Sequence, residues 1–563
     1  MRLIKLVACV AAIALGSQIP ARILAAGDPR LTDGSADLVL LQGKIITVDP
    51  QDTIAQAVAI KDGRIIAVGS SEEVGRYAGP RTQVLNLGGK SVLPGFIDAH
   101  THLEGIAAFH RMLDVHAPPL KGIDEILQKV QARVRSAQPG EWIVGAGGWG
   151  QQLPTREQLD KVAPSNPVVL RESAHVQVLN SAALQALGIN RGYVPPRGGH
   201  VFVDSRTGEP TGKIQEMPQV WSERLPEPSY QARRQSVKEV MEDFRSKGVT
   251  TVYDFPTSSG MRIYQDLRDA GELPLRLRYQ IILTGQSPAF SDFVINYGPR
   301  TGFGDDWLRL GGIKLFVDGE TESAVRYDPP GQRDKWIGDV RYTQQELNDI
   351  VLKAHKAGFQ VWTHALGDKA QDMILEAYER AEQAFPRPDP RHRIEHAGNQ
   401  EAGPTTPEQL DRMKRLGVIP VPTGAWIYLG HAAFKTQASV PFIYKTMLAH
   451  GLRPPGTSDS VGSMPESTSP FFSMWVMVTR KTRGGELNGP NEAISIMEAI
   501  RCYTVYSAYS GFEEKIKGSI ERGKLADLNV LSADPLTVPA DQIKDIKVVT
   551  SVLDGKIVAP TAH

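Results

Sequence analysis

Residues 92–105, VLPGFIDAHTHLEG, run an apolar approach into two histidines separated by a single residue, His100 and His102. On a β-strand, residues i and i+2 face the same side, so both imidazoles can aim at one point. Imidazole nitrogen is a common ligand for zinc and similar ions. Pro94 and Gly95 mark a boundary ahead of the strand, and the polar residues begin at its end, where barrel enzymes keep their chemistry. An H-x-H pair standing alone is more often a pair of exposed or core histidines, so the remaining ligands must come from elsewhere in the chain.

Along the chain, β-branched and apolar runs recur at Gly95–Ala99, Trp142–Ala146, Pro167–Arg171, Val249–Asp254, Leu275–Leu283, Leu308–Phe316, Phe359–Thr363, His392–Glu395, Val418–Pro422 and Leu452–Thr457. Helical patterns at Thr343–Ala357, Ala370–Ala384 and Pro407–Leu416 fall between the later ones. This alternation predicts a parallel sheet, and ten strands are two too many for an eightfold barrel. The second and third belong to an insertion at about residues 121–225, whose Gly/Pro-rich middle (GYVPPRGGHVFVDSRTGEPTGK) reads as a hairpin or lid.

Short strands broken by Gly43-Lys44, Asp49-Pro50 and Asp62-Gly63 form a meander near the start, and IKVVTSVLDGKIV repeats the style near the end, with Asp554-Gly555 as a hairpin turn. The expected fold class is α/β: a (β/α)8 TIM-type barrel over residues 94–518 with an insertion after its first strand, plus a small β-sandwich domain built from residues 27–93 and 519–563. Residues 1–26 read as a secretory signal, with Arg2 and Lys5 ahead of the apolar Leu6–Leu15 and a small-residue end at Ala25-Ala26. Ser17, Gln18 and Pro20 interrupt the run before it could span a bilayer. The expected location is periplasmic or secreted, with no integral membrane segment in the mature chain.

The chain has 563 residues, 63 basic and 63 acidic, for a formal net charge of zero. That balance gives no electrostatic case for nucleic acid as a partner and leaves a small-molecule substrate as the expectation. Of the two cysteines, Cys502 lies in an apolar helical pattern and reads as packing.

If eight strands close a barrel, several strand ends carry metal-competent residues on one rim: His100 and His102, then Lys314, His364, His396 and Asp459. Each has a structural explanation when taken singly. His364 and His396 could be buried and satisfied by backbone, and Asp459 could cap a helix. Lys314, in a near-continuous apolar strand, is harder to explain that way, because a buried lysine is costly unless paired or neutral.

VLPGFIDAHTHL, GGIKLFVDG, THALGDKA, RIEHAG, GTSD and GSIERGKLADLNVLSADP, in that order, resemble the amidohydrolase superfamily, and within it the amidohydrolase family 3 branch that includes N-substituted formamide deformylases. The resemblance implies a hydrolase of non-peptide carbon–nitrogen bonds in an amide, formamide, carbamate or cyclic amide, using metal-activated water. It implies that His100, His102 and Asp459 hold one divalent metal, expected to be zinc, and that His364 and His396 hold a second. Lys314 would bridge the two as a carboxylated lysine, and Asp459 would carry the proton from water to the leaving nitrogen. A one-metal site with a later histidine holding substrate, a mononuclear deaminase-like hydrolase, and an inactive binding protein on the same barrel are the alternatives. Trp149 and His175, on the insertion, are the expected substrate-side residues. Asp318 and Glu320 follow the Lys314 strand as candidates to position neighbouring groups or anchor the loop.

Overall fold

The computed structural model describes residues 35–558 except 149, 173–174, 197, 321–322, 331, 401 and 431–440. The predicted signal peptide and Trp149 therefore lie outside the described residues.

Seven parallel strands form one sheet in chain order: β1 (Phe96–Thr101), β2 (Val249–Asp254), β3 (Arg276–Ile282), β4 (Leu308–Phe316), β5 (Val361–His364), β6 (Arg393–Glu395) and β7 (Ile419–Val421). Helices sit between successive strands, and their ends follow from local chemistry. Gln344–Lys356 starts behind a capping box made by Thr343 and Glu346. Pro407–Leu416 has the same device in Thr406 and Gln409 and stops at left-handed Gly417. Burial on both faces explains the near-continuous apolar character of these strands. Ile97, Ala99, Tyr253, Phe255 and Trp362 pack into one apolar cluster, and Arg393 stacks 3.4 Å over the Trp362 ring.

The eighth predicted strand, Leu452–Thr457, is not a strand. Residues 456–460 do run beside β1: Ala99 N donates to Gly456 O (3.0 Å), Asp459 N to His100 O (2.8 Å) and His102 N to Ser460 O (3.1 Å). On the other side the segment is claimed by a helix. Cys502–Tyr506 is a π-helical turn, and the Cys502 carbonyl accepts from Gly456 N at 2.8 Å. Tyr503 donates its hydroxyl to Thr457 O at 3.0 Å. A Cβ on Gly456 would lie 2.4 Å from the Tyr503 ring, so glycine is required for this approach. Backbone groups committed to a helix cannot also form a regular ladder.

The insertion is a six-stranded sheet that also recruits Leu113–Asp114, ahead of residue 121. Its Gly/Pro-rich part forms the antiparallel pair His200–Val203 and Pro210–Gln215. The chain ends build a four-stranded and a six-stranded sheet, the latter pairing Ser91–Pro94 with Leu528–Leu531. Leu38, Val58 and Ile60 from one sheet and Ile45, Val92 and Val530 from the other share an apolar cluster. Among the described residues, no helix is long and apolar enough to cross a membrane.

Candidate metal centre

The strand ends of the seven-stranded sheet converge on one cavity. His100 lies in β1, and His102 is the residue just before the helix Leu103–Phe109; their ring centroids are 5.3 Å apart. Each presents Nε2 at 3.3 Å from Asp459 Oδ1. His396, one residue beyond β6, places Nδ1 3.7 Å from Asp459 Oδ2. His364 ends β5, and its ring centroid is 4.6 Å from that of His396. Lys314, in β4, is fully buried with Nζ 4.3 Å from the Phe255 ring centre and 4.9 Å from that of Phe316.

All six expected ligands, together with His175, line one cavity of about 150 Å³. Among the described residues, the group whose ligand atoms all lie within 4.8 Å of one another is His100, His396 and Asp459. It draws members from both expected sets, with Asp459 at the centre. His396 (φ +72°) and Asp459 (φ +44°) occupy the left-handed region. His and Asp enter that region more readily than most residues, and each such residue still costs of order 1–3 kcal/mol.

Burial dominates the electrostatics. It pushes His100 down to about 4 and His396 to about 3, and His364 well below its ordinary value, so all three imidazoles are neutral donors of a lone pair. Burial opposes ionisation of Asp459 too, but His100, His102 and His396 hold that carboxyl well below the usual range. Lys314 is pushed by burial down to about 8.

Lys314 Nζ, His364 Nε2 and His396 Nδ1 are all buried without a hydrogen-bond partner. Buried polar atoms are normally satisfied, and a cluster of nitrogens without hydrogen bonds around one cavity has the chemistry of a ligand set for a cation. The residues present therefore fit a metal ion.

The sequence profile of the amidohydrolase family matches residues 83–559. The chain belongs to the amidohydrolase family. It is 32% identical over 543 residues to the N-substituted formamide deformylase of Arthrobacter pascens, covering 92% of this chain and 97% of that one. It is 30% identical over 521 residues to Protein LONG AFTER FAR-RED 3 of Arabidopsis thaliana, covering 89% and 88%. Among solved structures, an uncharacterized metal-dependent hydrolase from Pyrococcus furiosus superposes with a TM-score of 0.65 at 25% identity, covering 89% of this chain and all of the other. This amidohydrolase is a hydrolase acting on carbon–nitrogen bonds.

Several residues that shape the site escaped sequence reasoning. Glu395 Oε2 lies 2.5 Å from His100 Nδ1 and is gripped by Arg393. Burial works against its ionisation, but Arg393, His100 and Lys314 hold the carboxyl well below the usual range. Asp98 accepts from the backbone N–H groups of His100 and Ser458, tying β1 to the Asp459 segment. The signal for Glu395 was Arg393-Ile394-Glu395, a charged i, i+2 pair inside a buried strand. In this amidohydrolase His175 stands between two carboxylates: Nδ1 is 2.9 Å from Glu216 and Nε2 3.0 Å from Glu320. His200 is exposed on its hairpin.

Proposed function

We propose that this protein is an exported, metal-dependent amidohydrolase that cleaves a non-peptide carbon–nitrogen bond, with an N-substituted formamide or related amide as substrate. The observation that carries the metal reading is the set of buried nitrogens without hydrogen bonds, Lys314 Nζ, His364 Nε2 and His396 Nδ1, around one cavity. His100, His102 and Asp459 would hold one ion and His364 and His396 a second, zinc being the metal that suits such nitrogen and oxygen ligands. Lys314 would bridge as a carboxylated lysine: a buried amine whose pKa falls to about 8 reaches the neutral form that adds carbon dioxide, and the product is an anionic oxygen ligand.

When bound, a divalent ion supplies Lewis acidity, lowering the pKa of water to roughly 7 and polarising a carbonyl. The chain's own residues do the rest. Asp459, whose carboxyl lies well below the usual range, takes the proton of the attacking water and returns it to the leaving nitrogen. Glu395 and Asp98 fix His100 from behind. Phe255, Phe316 and Trp426 wall the site from water. The terminal sheets would form a β-sandwich flanking a closed barrel, and residues 1–26 would direct export to the periplasm or medium.

A single-ion, deaminase-like centre is favoured by one observation, the compact triad His100, His396 and Asp459. Elemental analysis of chelator-free protein, paired with an amide-hydrolysis screen, separates the readings. About two equivalents with amide turnover supports the bridged site, and about one favours the triad. Lys314→Met should abolish the second equivalent; unchanged stoichiometry would reject the bridge.

A further inference from the structure

His175 has no ring nitrogen to offer a substrate. Its Nδ1 is committed to Glu216 (2.9 Å) and its Nε2 to Glu320 Oε1 (3.0 Å). Each nitrogen faces a carboxylate oxygen, an acceptor, so both nitrogens donate. The atom left over belongs to Glu320. This side chain is buried and lines the cavity, and its Oε2 has no hydrogen-bond partner.

Glu320 is also held firmly. Its backbone N–H donates to Glu216 Oε1 at 2.9 Å, and its carbonyl accepts from the Gln215 amide. Gly319 permits that closeness, since a Cβ there would lie 2.6 Å from Glu216 Oε1. Arg341 anchors the other Glu216 oxygen at 2.8 Å. Glu216 itself takes a left-handed φ of +56°. The insertion sheet and the loop after β4 are thus pinned together around one unsatisfied oxygen of a residue that lines the cavity.

We propose that Glu320 is the specificity residue that reads the substrate nitrogen: Oε2 accepts a hydrogen bond from the N–H of an N-monosubstituted amide, and His175 is the positioning residue that presents it. This rests on the amide-hydrolase reading above. A buried acceptor is costly to leave unsatisfied. An N,N-disubstituted amide has no N–H to give and also places a carbon against the oxygen, so the site selects against it.

The test uses the full mature, metal-loaded protein, an N-monosubstituted formamide and its N-methylated counterpart. Burial pushes the Glu320 carboxyl up to about 7, so the assay is run at a pH above about 8, where the wild type should favour the N–H compound by about 10–100-fold in kcat/KM, the range expected for a hydrogen bond to a charged acceptor. In Glu320→Gln the amide oxygen stays on His175 and the NH2 turns to the cavity, replacing an acceptor with a donor, so the preference should fall to near one. Glu320→Asp, which keeps the acceptor, should retain part of it. Equal turnover of both compounds by the wild type, or an undiminished ratio in Glu320→Gln, overturns the proposal. If the wild type hydrolyses neither compound, the amide reading fails instead. Calorimetric binding of the same pair then decides on Glu320: a wild-type preference lost in Glu320→Gln supports it, and equal binding overturns it.

Discussion

Glu395 and His100 form the tightest link between the candidate metal ligands and the barrel wall. Oε2 stands 2.5 Å from Nδ1, while Arg393 Nε and Nη2 each bind a carboxylate oxygen at 2.8 Å. An ionised Glu395 only accepts, so His100 carries its proton on Nδ1 and turns the Nε2 lone pair toward Asp459 and the cavity. A ligand oriented in this way is also made more basic.

Glu395→Gln should therefore weaken metal binding by about 10–100-fold, as losses of such supporting groups do. It also leaves the Arg393 guanidinium buried without a carboxylate, a change that costs about 3–5 kcal/mol in comparable pairs. Competition with a metal-binding dye and thermal unfolding measure the two effects. A variant with unchanged metal affinity would show that Glu395 serves stability alone.

Asp459→Asn preserves volume and suits the left-handed backbone at this position, where φ is +44°. The fold should persist, because the Asp459 N–H to His100 carbonyl bond is made by the backbone. Turnover should drop by about 10²–10⁴-fold through loss of the proton carrier. Steady-state kinetics on protein shown to be metallated is the check, and near-normal turnover would remove Asp459 from the proton path.

Away from the site, His355 and His392 form a hydrogen-bonded chain with a fixed proton direction. Val361 N–H donates to His392 Nδ1 (3.0 Å), so His392 Nε2 carries hydrogen and donates to His355 Nδ1 (2.9 Å). His355 Nε2 then donates to the Phe385 carbonyl at 2.7 Å. A second proton on either ring would meet a donor, and burial already lowers both pKa values, His392 well below 6.5. Because the folded state resists protons that the unfolded state accepts, this contribution is intact above about pH 6.5 and is lost as pH falls below it. Each proton taken up on unfolding costs up to about 1.4 kcal/mol of stability per pH unit. Denaturant midpoints at about pH 7.5 and 5.5 should show a smaller acid loss in His355→Gln than in the wild type; equal losses would discount the pair.

What could be read from the sequence was whatever depends on local periodicity. The H-x-H pair, the apolar strands β1 to β7 and the helices Gln344–Lys356 and Pro407–Leu416 each rest on neighbours a few residues away, and all appear where the pattern places them. The barrel assumption then put His364, His396, Lys314 and Asp459 on one rim, and they do share one cavity. The partners of those residues were not legible, because they come from remote chain. Glu395 meets His100 across 295 residues and His175 meets Glu216 across 41. The predicted strand at Leu452–Thr457 failed for the same reason, since the Cys502 carbonyl and Tyr503 hydroxyl that hold the segment carry no local signature.

That last attachment sets an order of assembly. A chain made from its N-terminus exposes the five basic side chains of the site, His100, His102, Lys314, His364 and His396, before the one acid among them is made. Asp459 is synthesised next, but the Gly456 and Thr457 backbone waits for Cys502 and Tyr503 to leave the ribosome and wind into their widened turn. The growing polypeptide thus carries nitrogen ligands without their carboxylate until the barrel is almost complete. A complete ligand set held in place therefore requires the chain through Tyr503.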